Sequence, residues 1–181
     1  MKLYVIRHGE SETNQAHQYT GWADVRLTEK GVADAMGARE RLAGISFDKV
    51  YTSDLIRAKQ TAETALPGCV YEESALLREI DLGSLSRQPI GCVTVKNLDF
   101  TPWGGENREM LYARAQTFLR QVEQTDAKTV AVFSHAGILR AILCTVLQAP
   151  LQSATFCCSN CTTAIFDYTD GKWRLHSWIN P

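Results

Sequence analysis

Two histidines stand at the ends of apolar runs: His8 in "LYVIRHGE" (3–10) and His135 in "VAVFSHAG" (130–137), each with a glycine close behind. Arg7 directly precedes the first. A guanidinium beside an imidazole disfavours the imidazolium form, so the pairing needs a reason, and an anion supplies one. Arg57, in "SDLIRAKQT" (53–61), falls one helical turn after the capping candidate Ser53. Taken singly, His8 reads as a packed polar residue at a strand end and Arg57 as a helix surface charge. Gathered into one pocket, Arg7, Arg57, His8 and His135 match a phosphate dianion: guanidinium forks pair phosphate oxygens bidentately, and a helix opening at residue 136 adds N–H donors at its positive end. A neutral imidazole nitrogen is also a competent nucleophile.

Strand signals lie at 2–6, 49–52, 129–133, 163–168 and 173–179, with "TDG" (169–171) turning the last two into a hairpin. Helical patterns occupy 27–44, 53–66, 105–125 and 136–149. The first is expected to start at a Thr28 cap, to bury Val32, Met36 and Leu42, and to end at Gly44; the second is expected to start at a Ser53–Asp54 cap and stop before Pro67. Strands alternating with helices predict an α/β sheet covered on both faces. Ligands of such sheets bind beyond the carboxyl ends of the strands, which is where Arg7–His8 and Ser134–His135 fall. If strands 2–6 and 129–133 are neighbours, His8 and His135 face one another.

The chain has 181 residues, 45% of them hydrophobic, enough for one substantial core. Lys and Arg total 19 against 20 Asp and Glu, so the balance points to neither nucleic acid nor a membrane surface as the main partner. Its apolar runs are too short or too interrupted by charge to span a bilayer, and "MKLYVIRHGES" does not read as a signal peptide, so a cytoplasmic location is expected. Cys158 and Cys161 form a C-x-x-C with no second ligand pair nearby; Cys69, Cys92, Cys144 and Cys157 complete the six. Reduced thiols acting as small apolar packing residues are the expectation, and no metal is inferred. Nothing in the chain specifies an oligomeric interface.

The segments "LYVIRHGESETN" (3–14), "GWADVRLTEKG" (21–31), "VYTSDLIRAKQTAE" (50–63), "LREIDLG" (77–83), "GGEN" (104–107) and "VAVFSHAGILRAIL" (130–143) resemble, in order and spacing, the histidine phosphatase superfamily on its phosphoglycerate-mutase-like branch. The resemblance implies a three-layer α/β/α sandwich with a mostly parallel central sheet. It further implies a single domain over 1–181 with a short cover segment around 86–107. It makes His8 the nucleophile that becomes phosphorylated and sets Arg7, Asn14, Arg57 and His135 around the phosphoryl group, with His135 also counted as catalytic. Glu79 takes the role of general acid and then general base, which requires a protonated carboxyl in the first step; burial or Asp81 would favour that form. Thr20 and Gly21 fall on the substrate side, neither metal nor cofactor is implied, and the partner is a small phosphorylated metabolite. His17 and His176 match no motif and are expected to be structural or exposed.

The chain departs from the pattern it resembles after Glu79. Many members continue E-x-x-x-G-x-W-E-G, whereas Glu79 is followed by Ile80, Asp81, Leu82, Gly83, Ser84, Leu85, Ser86 and Arg87. The stretch 88–107 is short for a cover. A mutase must keep water from its phosphorylated intermediate, so a small cover favours a phosphatase over a cofactor-dependent phosphoglycerate mutase. A non-catalytic phospho-ligand module is the other alternative, against which the acid argues. Size and the ending 159–180 look similar to α-ribazole phosphatase-like and broad-specificity phosphatases. Trp22, Arg87, Trp103 and Glu106 join Thr20 and Gly21 as substrate-side candidates.

Overall fold

The computed structural model describes residues 1–148 and 156–181. Strand β1 (Lys2–Arg7) lies at the centre of a six-stranded sheet, parallel to β4 (Thr129–Ser134) on one side and antiparallel to β5 (Thr163–Thr169) on the other. Beyond β4 come β2 (Lys49–Thr52) and β3 (Glu72–Glu73), both parallel, and beyond β5 comes β6 (Lys172–Ile179), antiparallel. The sheet is therefore mixed and mostly parallel. The two-residue β3 had no strand signal of its own, because two exposed glutamates carry no apolar alternation. In the β5–β6 turn Asp170 and Gly171 both have positive φ (54° and 70°), as a tight hairpin on twisted strands requires.

Side-chain alternation along β1 and β4 divides the core into two layers. Leu3, Val5, Val130 and Val132 pack with Leu111 and Phe118 of α4 (Arg108–Glu123) and Ile138 and Ile142 of α5 (Ala136–Leu147). Ile6, Ala131 and Phe133 face the other way, onto Ala35, Ala38 and Leu42 of α2 (Glu29–Leu42) and Ala62 of α3 (Ile56–Ala65). A strand buried on both faces reads as one apolar run, which is why "TVAVF" and "KLYVI" stand out. The result is helix, sheet, helix. A short α1 (Glu12–Gln15) follows the β1 loop. Among the described residues no helix is long and apolar enough to cross a membrane.

Three helix expectations are corrected. Thr28 does cap α2, accepting from Gly31 N at 3.0 Å, but Val32 and Met36 are 42% and 55% exposed, and the buried face is Gly31, Ala35, Ala38 and Leu42. Close approach explains the choice: a Cβ on Gly31 would run into the Glu10 carbonyl and one on Gly9 into that of Gly31, so α2 must turn its small residues inward. The α3 helix starts at Ile56, not at Ser53. Ser53 Oγ accepts from Leu55 N within a turn, Asp54 pairs with Arg78 at 2.6 Å, and the Ile56 N–H is satisfied by Asp24 Oδ1 at 2.8 Å from a distant loop. The α4 helix starts three residues late, at Arg108, where Asn107 accepts from Met110 N at 2.9 Å. The expected end of the last helix, Ala149, lies outside the described residues.

This packing sets opposite expectations for neighbouring positions on α2. Ala38→Leu should destabilise the fold by about 1–3 kcal/mol through overpacking against the sheet, whereas Met36→Ala should stay within about 0.5 kcal/mol of the parent. Urea unfolding midpoints would separate the two, and equal effects would refute the assigned face.

Candidate active site

The parallel register pairs Arg7 with Ser134, so β1 and β4 end at one level and release His8 and His135 side by side. The main chain there is fixed from both sides, with Arg7 N donating to Thr162 O at 3.0 Å and His8 N to Ser134 O at 2.9 Å. The two imidazoles stand edge to face, centroids 5.1 Å apart. His8 Nδ1 lies 2.7 Å from the Gly9 carbonyl, which can only accept, so Nδ1 carries the proton and Nε2 keeps its lone pair. Arg57 Nε donates to that Nε2 at 3.3 Å.

Burial, then Arg57, then Arg7 hold the His8 pKa well below its ordinary value of 6.5, against a small opposing pull from the Gly9 carbonyl. His135 is shifted the same way by burial, Arg57, His8 and both Arg7 and Arg114, and among the described residues neither of its ring nitrogens has a hydrogen-bond partner. Arg57 is fully buried on α3; its Nη1 and Nη2 donate to the carbonyls of Ala23 (2.9 Å) and Gly21 (2.8 Å), and burial lowers its pKa to about 10, still protonated near neutrality. Arg7 donates through Nη1 to the Cys158 carbonyl, and among the described residues its buried Nε has no partner. Carbonyl oxygens orient these guanidiniums without neutralising them, so the site holds fixed positive charge around an uncharged imidazole.

Glu79 approaches from the opposite side. Its carboxylate accepts from Gly137 N at 3.0 and 3.2 Å and from Ile80 N at 2.9 Å, and a Cβ on Gly137 would run into Oε1. Its carbonyl accepts from Trp22 Nε1 (2.7 Å) and Arg114 Nη2 (3.0 Å). Arg114 also holds the carbonyls of Leu76 and Arg78 and both carboxylate oxygens of Glu106, while Glu106 accepts from Asp81 N at 3.0 Å. Asp81, the carboxylate expected to help hold Glu79 protonated, spends an oxygen on Gly83 N at 2.9 Å and does not line the cavity beside Glu79.

A cavity of about 340 Å³ opens beside Glu79 and Gly137. Asn14, Thr20 and Gly21 line it; Trp22, Arg87, Trp103 and Glu106 do not. Trp22 and Glu106 instead buttress the Glu79 main chain, because the 104–106 turn folds Glu106 inward through its N–H to the Asp81 carbonyl at 2.9 Å. Arg87 is exposed and Trp103 packs against the core. Thr20 Oγ1 is 2.6 Å from Thr13 Oγ1, and Asn14 Oδ1 accepts from Ser11 N (3.2 Å) and Asn160 Nδ2 (3.3 Å). Asn160, which also donates to the His8 carbonyl at 3.1 Å, gave no signal in an ordinary loop sequence. Nor did Arg114, one polar residue of an amphipathic helix.

The C-x-x-C serves through its main chain: Cys158 O receives Arg7, and Cys161 N donates to His8 O at 3.2 Å. Cys144, Cys158 and Cys161 are buried, with burial pushing the Cys161 thiol up to about 12, and the half-buried Cys69 packs against the core, but Cys92 and Cys157 are exposed and depart from the packing expectation. His17 and His176 lie outside the cluster, the latter paired with Asp167 at 2.8 Å.

The profile of the histidine phosphatase superfamily (branch 1) matches residues 3–181. The chain belongs to the histidine phosphatase superfamily. Its members are phosphatases or mutases. A curated relative, "Probable phosphoglycerate mutase GpmB" of Photorhabdus laumondii, is 31% identical over 194 residues, taking in 99% of this chain and 90% of the relative. A phosphoserine phosphatase mutant from Entamoeba histolytica, solved in complex with phosphoserine, superposes with a TM-score of 0.87 at 24% identity, covering 98% of this chain and 95% of that one. A structure from Escherichia coli described as an alpha-ribazole-5′-P phosphatase gives 0.86 at 24% identity, with 99% and 96% covered. These two likenesses establish the phosphoglycerate-mutase-like fold.

The buried histidines couple protonation to folding. Below 6.5 the unfolded chain takes up protons that these depressed rings refuse, so stability should fall with falling pH by up to about 1.4 kcal/mol per pH unit for each ring. Urea unfolding between about pH 7 and pH 5.5 should show this slope, reduced in His135→Gln; an unchanged slope would mean that the His135 ring ionises in the folded state. Glu106→Gln should cost about 1–3 kcal/mol by leaving the partly buried Arg114 guanidinium without its carboxylate, readable in the same titration.

Proposed function

We propose that the protein hydrolyses small-molecule phosphomonoesters through a phosphohistidine on His8, in one domain spanning 1–181 whose residues 86–107 cover the pocket. The observation that carries the reading is the His8 tautomer: Nδ1–H is tied to the Gly9 carbonyl, and the unprotonated Nε2, which accepts from Arg57 Nε, sits among Arg7, Arg57 and His135. Substrate phosphate would take over the N–H of Arg57 Nε. His8 Nε2 forms a bond to phosphorus as the ester P–O bond breaks. Arg7, Arg57, His135 and Asn14 meet the charge spreading over the equatorial oxygens. The Glu79 carboxyl proton passes to the leaving oxygen. In the second half, carboxylate Glu79 takes a proton from water as that water attacks phosphorus, and the P–N electron pair returns to Nε2. Thr20 and Gly21 line the substrate side.

Hydrolysis is preferred to mutase chemistry because the cover is thin. Residues 87–92 are all exposed, Ile90 at 61%. Such a cover admits water to the intermediate. The name of the Photorhabdus relative favours the mutase reading, and predominant isomer interconversion over phosphate release from phosphoglycerate would establish it instead.

In EDTA the purified protein should release nitrophenol from p-nitrophenyl phosphate, and His8→Ala should release none. Glu79→Gln should lower kcat/KM by about 10²–10⁴, and Gly137→Ala should lower it too by displacing the Glu79 carboxylate. Since the His8 pKa is depressed, the neutral nucleophile persists on acidification, and kcat/KM should show no loss centred on 6.5. A loss centred there, or equal rates for parent and His8→Ala, would overturn the assignment.

A further inference from the structure

The cavity beside Glu79 is chemically lopsided. Ile80, Leu82, Ile90, Leu98, Leu143 and Phe156 supply much of its wall. A polyhydroxylated alcohol would lose its hydrogen bonds to water against such a surface. Apart from Glu79, the charged residue on the described wall is Arg140, on the α5 helix. Among the described residues its buried Nε has no hydrogen-bond partner, and its Nη2 reaches the Phe156 carbonyl only at 3.4 Å. Among the described residues no carboxylate forms a salt bridge with it, unlike Arg78 and Arg114. Arg140 is also close enough to Arg7 for the two guanidiniums to repel. Asn14 and Thr20, by contrast, are already engaged with Ser11, Asn160 and Thr13.

An under-paired guanidinium at the edge of an apolar wall is costly unless an anion completes it. We infer that the cavity selects phosphomonoesters whose alcohol is a compact apolar body bearing a carboxylate, with that carboxylate on Arg140 and the phosphoryl group among Arg7, Arg57 and His8. The phosphoryl end rests on the proposed phosphatase reading; the Arg140 end is a separate binding claim. A volume of about 340 Å³ is at the small end for ligand sites and suits one ring with a short arm. Two anionic groups held a short distance apart would also relieve the repulsion between Arg7 and Arg140.

The test compares phenyl phosphate, its para-carboxyethyl derivative and 3-phosphoglycerate on the parent, Arg140→Met and Arg140→Lys. The parent should prefer the carboxyethyl compound over phenyl phosphate by about tenfold in kcat/KM, mainly through KM, as a charge-assisted hydrogen bond provides. It should also prefer it over 3-phosphoglycerate. Arg140→Met should bring the carboxylate preference close to unity, and Arg140→Lys should keep part of it. An equal loss on both aryl phosphates in Arg140→Met would place Arg140 on the phosphoryl group and overturn the inference, as would a parent preference for 3-phosphoglycerate. Calorimetry with 3-(4-hydroxyphenyl)propionate reads the cavity without turnover. Binding by the parent that weakens about tenfold in Arg140→Met supports the inference even if no ester is hydrolysed, and absence of binding overturns it. Failure to hydrolyse any ester would sink the phosphatase reading separately.

Discussion

Burying Arg7 and Arg57 around His8 forces the imidazole to stay neutral, and much of the surrounding structure serves that constraint. A protonated ring there would add a third positive charge to a site whose guanidiniums are held by carbonyl oxygens, with burial already opposing the charged form of each. The Gly9 carbonyl then decides which nitrogen keeps the proton. Neutrality and tautomer together leave the Nε2 lone pair beside fixed positive charge.

The scaffold achieves this through rigid termini. Two parallel strands in register end at the same level, so His8 and His135 need no flexible loop to meet. Close contact between Gly9 and Gly31 lets α2 seat against the loop that follows His8. The 158–162 segment closes the other side with main-chain hydrogen bonds to Arg7 and His8. Much of the precision thus comes from backbone groups, which depend little on side-chain identity.

Glu79 is held differently. No regular element carries it; the residue lies between two short 3₁₀ turns. Its position is maintained by Trp22, Gly137 and the Arg114–Glu106 pair, drawn from a loop, a helix N-terminus, another helix and a turn. A partly buried ion pair of this kind contributes little net stability compared with apolar packing, yet it fixes one arrangement of three backbone carbonyls. Glu79 is therefore placed by tertiary contacts alone, whereas His8 is placed by the sheet.

The sequence by itself determined the strands that deliver His8 and His135, since apolar runs buried on both faces are visible in one dimension, and its ordered motifs determined the family to which the chain belongs. It also contained the Thr28 cap, a local hydrogen bond between residues three apart. Tertiary structure decided the rest. Met36 points outward because Gly31 must touch Glu10, Ile56 opens a helix because Asp24 arrives from 32 residues away, and Glu106 turns from substrate candidate to buttress because Arg114 lies beneath it. Each of these outcomes depends on which distant atom fills a given space, and that is a property of packing that local spacing does not encode.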